Sequence, residues 1–508
     1  MPETAEATWL GQQIEQISRI DPDAPEMEFG DRWFTWSELI DASGRLIKQL
    51  DDAGIGADMR IGMLLRNSAP MIPALLAMFR SNRCVASINA SAPDDKLAED
   101  VVKSRVPVIV ALEEDWAREG MTQAAREIGA LGIALPAELT DKPYCIEGLD
   151  AKRDKWRSPD APGIAIEMLS SGTTGTPKRI PLPRIRFEKA LQSAASFEKG
   201  RDPDAKPKLR TGVQIVTAPV AHIAGITGVM NNVLGGRKIA LIEKFTVENF
   251  SQALVRHRPK VAGAPPAALR MLLDADLPAD VYSSLKAYRT GTAPLDPDLA
   301  DAFFEKYGIP VLQNYGATEF AGGVAGWTLQ DFNDHWKTKR GSVGRVNKGV
   351  EAQIVDPDSG AVLPLGEQGL LELRGGNSGS QEWTRTTDLA ELDGDNFLYI
   401  RGRYDGAIIR GGFKIQPGDV IKALEEHPAI REAAVVGLPD KRLGEIPAAG
   451  YLLRSGASEP DEEILRAFLK EKLMPYQVPV QLRCFDEFPR TPSLKVSQPE
   501  LKKLFEAA

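Results

Sequence analysis

Apolar and polar positions switch repeatedly between helical and strand periods along the chain. From Trp36 to Ala53 apolar residues recur at helical spacing, Gly54 and Gly56 break the run, Arg60–Leu65 is a continuous apolar stretch of strand length, and Pro70–Phe79 returns to helix. A second round follows in the strand Cys84–Asn89, an acidic-to-basic helix around Lys96–Lys103 and the strand Pro107–Leu112. This alternation predicts α/β layering. The charged, proline-rich stretch Leu149–Pro162 reads as a connection before the strand Ile164–Leu169. The pattern resumes in the strand Gln214–Ala218, the helix Thr246–His257, the strand Lys260–Gly263 and the helix Ala267–Asp274. Between Gly349 and Arg374 short β-like runs separated by Asp356-Pro357-Asp358-Ser359-Gly360 and Gly366 predict a small antiparallel subdomain. A last unit begins near Gly402-Arg403-Tyr404-Asp405-Gly406. Its helix Asp461–Leu473 carries Ser458 and Asp461 as a capping-box variant and an apolar face of Ile464, Leu465, Phe468, Leu469 and Leu473.

Composition narrows the class. The chain has 508 residues, and at roughly 150 residues per domain that allows three or four compact units. Hydrophobic residues make up 43% and charged residues 26%, so a packed core is expected and disorder is not. Lys and Arg number 62 against 71 Asp and Glu, a net charge of -9 that supplies no field for nucleic acid. Cys84, Cys145 and Cys484 are far apart and form no C-x-x-C pair, which argues against a zinc ribbon or a disulfide framework and fits a reducing cytoplasm. Met1–Thr8 opens no signal peptide, and the best membrane candidate, Ile61–Phe79, is interrupted by Arg66, Asn67 and two prolines. A cytoplasmic protein without a transmembrane segment is the expectation.

Candidate chemistry centres on Ser170-Ser171-Gly172-Thr173-Thr174-Gly175-Thr176-Pro177-Lys178, directly after a strand of buried type. Two glycines, five hydroxyls and a lysine can turn several donors toward one polyphosphate, although composition alone leaves a plain flexible turn open. This string closely resembles the signature loop of the adenylate-forming superfamily, which includes acyl-CoA synthetases, the adenylation domains of peptide synthetases and firefly luciferase. Further motifs follow in that family's order. Arg289-Thr290-Gly291-Thr292-Ala293-Pro294-Leu295 resembles its adenine-wall segment, and Gln313-Asn314-Tyr315-Gly316-Ala317-Thr318-Glu319 its Q-G-Y-G-x-T-E motif. Thr387-Asp388 stands for G-D, Gly402-Arg403-Tyr404-Asp405 for G-R-x-D, and Arg490-Thr491-Pro492-Ser493-Leu494-Lys495 for R-T-x-S-G-K.

The resemblance implies a large N-terminal adenylate-forming domain over residues 1–402, made of layered α/β subdomains plus a small β subdomain. A smaller, mobile α+β lid over 403–508 follows and carries the catalytic lysine. It implies that ATP contacts Ser170, Ser171, Gly172, Thr173, Thr174, Gly175 and Lys178, then Gly291, Thr292, Ala293 and Pro294, then Asn314, Tyr315, Gly316, Asp388 and Arg403. Tyr315 offers an aromatic face for adenine. Asp388 and Arg403 are expected on the ribose, Thr318 in the catalytic set and Glu319 on Mg2+, for which it is a hard oxygen ligand. Lys495 is expected to bridge the two anions that meet when a carboxylate attacks the α-phosphate. Asp405 is the expected hinge.

Some positions depart from the family pattern. Leu494 and Thr387 stand where the family has glycine, the family's M-x-G-Y-x-N-x-x-E-A-T stretch is shortened to Gly375–Trp383, and Ile409-Arg410-Gly411-Gly412 lacks lysines sometimes used in thioester formation. If either glycine served a left-handed turn, local geometry would differ.

Pro219-Val220-Ala221-His222-Ile223-Ala224-Gly225 resembles the P-x-x-H segment of acyl- and aryl-CoA synthetases. His222 is then expected to gate and position the substrate carboxylate, which has no proton to give at pH 7. Ile223 replaces the aspartate that amino-acid-activating relatives use for the substrate ammonium, so amino acids are disfavoured. Ile223, Gly225, Ala262, Ala264, Phe320, Ala321 and Gly322 are small or apolar and suggest a roomy acyl pocket for a medium- or long-chain fatty acid or a ring-bearing acid. The expected activity is an ATP-dependent acid-thiol ligase that uses Mg2+ and coenzyme A. A ligase loading a carrier protein, or a nucleotide-binding regulatory homologue without full turnover, is the alternative, and a homodimer is left open.

Overall fold

The computed structural model describes residues 8–149, 159–169, 179–196, 206–317, 320, 322–375, 382–404, 406–410, 413–440, 443–491 and 494–507. The described residues form a mixed α/β fold with five sheets.

The first sheet has seven strands in the order Tyr144–Cys145, Leu131–Leu135, Val108–Leu112, Arg60–Leu65, Cys84–Asn89, Ile164–Leu169 and Arg179–Pro183. Its central pairings are parallel and its two outermost ones antiparallel. Strands covered by helices on both faces need continuous apolar sequence, and Val108, Ile109, Val110 and Ala111 are all fully buried. A second sheet joins Val213–Val216, Lys238–Leu241, Pro25–Phe29 and Arg32–Thr35. A third runs Val261–Gly263, Ala287–Thr290, Val311–Ala317, Gly322–Gly326, Arg345–Val346.

The expected antiparallel subdomain is a four-stranded meander of Val350–Val355, Gly369–Gly375, Thr384–Leu392 and Leu398–Arg403, longer than the stretch that suggested it. The last sheet, Phe413–Ile415, Ile408–Arg410, Gly444–Leu453 and Ile430–Asp440, takes Gln481–Cys484 parallel to Gly444–Leu453. Helices Pro417–Glu425 and Glu462–Lys470 pack on it through Val420, Leu424, Leu465 and Leu469. Among the described residues no helix is long and apolar enough to cross a membrane.

Two local expectations change. The cap of the helix Glu462–Lys470 is Asp461 alone, whose carboxylate accepts the N–H groups of Glu463 at 2.9 Å and Ile464 at 3.3 Å; Ser458 lies outside the cap. Ile464 is 64% exposed, because the packed stripe follows Leu465 and Leu469 and leaves it on the solvent side.

The two glycine replacements behave differently. Leu494 has φ +63°, so the left-handed turn is kept with a leucine in it. Thr387 is not among the residues with positive φ, and no glycine is required there.

Candidate active site

His222 starts the site. The strand Val213–Val216 ends in a turn through Pro219 and Val220, and His222 then caps the helix Ile223–Leu234 with extended backbone, φ -119° and ψ 152°. Its carbonyl accepts the N–H groups of Gly225 at 3.0 Å and Ile226 at 3.2 Å. Gly225 is buried, and a Cβ there would stand 2.1 Å from the Pro219 carbonyl oxygen, so only glycine lets the helix begin this close to the turn. Asn67, 3% exposed, fixes the turn from the first sheet: its Oδ1 accepts the Val220 N–H at 2.9 Å and its Nδ2 donates to the Ile242 carbonyl at 2.9 Å.

The His222 Nε2 is buried and has no hydrogen-bond partner among the described residues. Burial, and secondarily the nearby Lys495 ammonium, pulls this imidazole from 6.5 down to about 4. It is therefore neutral at pH 7, with a polar atom left for a ligand to satisfy.

The nucleoside end is built on the third sheet and the meander. Gly291 follows the strand Ala287–Thr290, and a Cβ on it would meet Asn314 Oδ1 at 1.9 Å, which seats these two predicted segments against each other. Thr292, next in line, holds φ +67°. Tyr315 lies on Val311–Ala317, and its hydroxyl donates to Asp388 Oδ2. Asp388 faces Arg403 across the antiparallel pair, its N–H donates to Thr386 Oγ1 at 3.1 Å, and Arg403 donates to Thr387 Oγ1. The threonine in the family's glycine position thus orients the arginine.

Phe320 is 2% exposed within a cluster containing Val324, Leu371 and Leu373, with Tyr315 packed on it, so its side chain backs the aromatic platform instead of lining open space. Ala262 and Ala264 are buried in the neighbouring core, where the Ala264 carbonyl accepts the Thr290 hydroxyl at 2.9 Å and the Gly263 carbonyl accepts Thr217 at 3.0 Å. Gly322 has open space around its Cβ position.

Lys495 comes from the other domain. Thr491 and Lys495 close a tight loop: the Thr491 N–H donates to the Lys495 carbonyl at 2.8 Å, and the Lys495 N–H to Thr491 Oγ1 at 3.2 Å. Arg490 spans the loop, donating to the Leu494 carbonyl at 3.0 Å and to Glu432 at 2.6 Å. The Lys495 ammonium is held below the ordinary lysine value, first by desolvation and then by the charge of Arg403. Lys495 thus acts electrostatically on His222 of the large domain, and Arg403 on Lys495.

Ser170, Ser171, Gly172, Thr173, Thr174, Gly175, Lys178, Thr318, Glu319, Ala321 and Asp405 lie outside the described residues. Asn67, Thr217 and Glu432 are positioning groups that sequence reasoning does not find, because their partners are backbone atoms or side chains remote in the chain.

An aromatic face tied to a carboxylate, a neutral histidine with a free nitrogen and a lysine delivered by a separate C-terminal domain define an adenylate-forming enzyme. The chain belongs to the AMP-binding enzyme family: the family model matches residues 14–380, and that of the AMP-binding enzyme C-terminal domain matches residues 422–495. It is 28% identical over 514 residues to a 2-succinylbenzoate–CoA ligase of Bacillus cereus, covering 98% of each chain. It is 29% identical over 419 residues to 4-coumarate–CoA ligase-like 3 of Arabidopsis thaliana, covering 78% of this chain and 71% of the relative. The fold matches that of the o-succinylbenzoate CoA synthetase of Bacillus subtilis in complex with its acyl-adenylate intermediate at a TM-score of 0.76, with 24% identity and coverage of 96% and 97%.

Proposed function

We propose that this enzyme is an ATP- and Mg2+-dependent CoA ligase for a hydrophobic, ring-bearing carboxylic acid. In the first step a carboxylate oxygen attacks the α-phosphorus of ATP, the bond to the β-phosphate bridging oxygen breaks, and acyl-adenylate and pyrophosphate result. In the second, the sulfur of CoA attacks the acyl carbon and AMP leaves. The single observation that carries the reading is the buried His222 with its unpaired Nε2, near enough to Lys495 of the C-terminal domain for that ammonium to help lower its pKa.

In the first step two anions must approach each other. Lys495 stabilises the charge that develops between them. Neutral His222 presents its unpaired Nε2 to the carboxylate or the new phosphate ester without adding a competing charge. Tyr315, held by Asp388, gives adenine a flat surface, while the second carboxylate oxygen of Asp388 is left to the ribose hydroxyls. Glu319 is the carboxylate proposed to hold Mg2+, which would neutralise phosphate charge when bound.

A ring-bearing acid is supported by the aromatic acids in the names of the relatives and by small residues beside His222. The test is acid-dependent ATP–pyrophosphate exchange with benzoate, 4-coumarate, 2-succinylbenzoate and decanoate, followed by CoA-dependent AMP release. Exchange with the ring-bearing acids supports the reading. Exchange with decanoate alone would move the substrate to fatty acids, and no exchange with any acid would remove the ligase assignment.

A further inference from the structure

Leu494 occupies a backbone conformation that glycine adopts freely and a side chain resists, φ +63°. The loop does not need the side chain to hold this shape. The Leu494 N–H donates to the Thr491 carbonyl at 2.8 Å, its carbonyl accepts Arg490 at 3.0 Å, and Arg490 is anchored on Glu432 at 2.6 Å. A leucine kept here against its backbone preference calls for a compensating contact, and one is present. Its side chain leaves its own domain and packs, half-buried, against the apolar cluster of the large domain that contains Ile215, Ala264, Leu269 and Tyr288. Nearby, Arg431 Nη1 reaches Asp274 Oδ2 at 3.5 Å across the same junction.

We propose that Leu494 is a positioning residue, an apolar latch that docks the C-terminal domain for adenylation and sets the adjacent Lys495 beside His222 and Arg403. The proposal rests on the reading that Lys495 acts in the adenylation step. Apolar contact suits a reversible dock, because it is strong when water is excluded and imposes no direction on release. The cost falls on the second step, since the domain must withdraw Leu494 from the cluster before a thiol can approach from another side.

Three variants separate latch from local strain. Leu494→Gly removes both the side chain and the strain, so the thermal midpoint is expected to stay level or rise while adenylation falls about tenfold. Leu494→Ala removes the latch and keeps the strain, so the midpoint falls and adenylation drops by a similar factor. Leu494→Met, which keeps an apolar side chain of similar volume, is expected to recover most of the loss. Single-turnover thioester formation from pre-formed acyl-adenylate is expected to be as fast as wild type or faster in the glycine variant. The acid used is the member of the panel above that exchanges fastest. Wild-type adenylation in both the glycine and alanine variants would overturn the latch. If Lys495→Ala collapses exchange while those two leave it intact, only the latch fails; if Lys495→Ala also leaves it intact, the functional reading itself fails.

Discussion

At the scale of single residues, His222 is a buried, neutral imidazole whose pKa the Lys495 ammonium helps to lower. With a folded value near 4 against 6.5 for the free side chain, His222 stays uncharged where an exposed histidine would be half protonated. The sign follows: the unfolded chain takes up a proton that the folded chain refuses, so stability is lost as pH falls from 6.5 toward 4. Imidazole NMR of ATP-free enzyme is expected to show a neutral His222 ring at pH 6; a ring titrating near 6.5 would place it in water and remove it from the site. Tyr315, Asp388 and Lys495 were legible in the sequence because a short motif surrounds each. Asn67 was not, although it sets the His222 turn, since its partners lie 153 and 175 residues away and are backbone groups without a side-chain signature.

Among the elements, the loop that carries Lys495 is tied to its own domain by the Arg490–Glu432 ion pair at 2.6 Å. Arg490 and Glu432 are each about three-quarters covered, with side-chain exposures of 26% and 24%, so screening weakens the pair less than at an open surface. A hydrogen bond to a charged partner contributes about 1.5–3 kcal/mol. Glu432→Gln keeps the shape and removes the charge, and is expected to slow adenylation about tenfold while leaving ATP affinity within about twofold. An unchanged rate would show that the loop is held by its backbone bonds alone. Long periodic elements such as Trp36–Asp52, Arg60–Leu65 and Val247–His257 were readable because one face or the whole run is buried. The strands Pro25–Phe29 and Arg32–Thr35 escaped notice: they are short, and Pro25–Phe29 gains its place by pairing with Lys238–Leu241, which local pattern does not announce.

At the scale of the whole molecule, the C-terminal domain meets the large domain through Leu494 and the Arg431–Asp274 pair. Glu425, on the helix Pro417–Glu425, is pushed up to about 7, first by burial, with Asp296 of the large domain and Glu432 adding like charge; Arg270 and the Ala433 N–H oppose them. Asp296 and Arg270 both belong to the large domain and act on Glu425 only while the domain is docked; the Asp296 contribution is the larger, so docking favours protonated Glu425 and weakens as pH rises through about 7. The apparent KM for the acid in adenylation is therefore expected to rise a few-fold between about pH 6 and pH 8, and to be flat in Glu425→Gln. A wild-type profile equal to that of the variant would show that Glu425 does not report docking. The α/β architecture and the separate last unit were visible from periodicity, whereas the junction was not, because Leu494, Arg431 and Glu425 acquire their partners only when two independently patterned units meet. The most direct test of the account is acid-dependent ATP–pyrophosphate exchange by Lys495→Ala alongside equilibrium ATP binding. One lost transition-state contact of this kind costs roughly 10²–10³-fold, so exchange is expected to fall by about that factor with ATP affinity retained, and exchange within about twofold of wild type would contradict the assembly of the active site across the two domains.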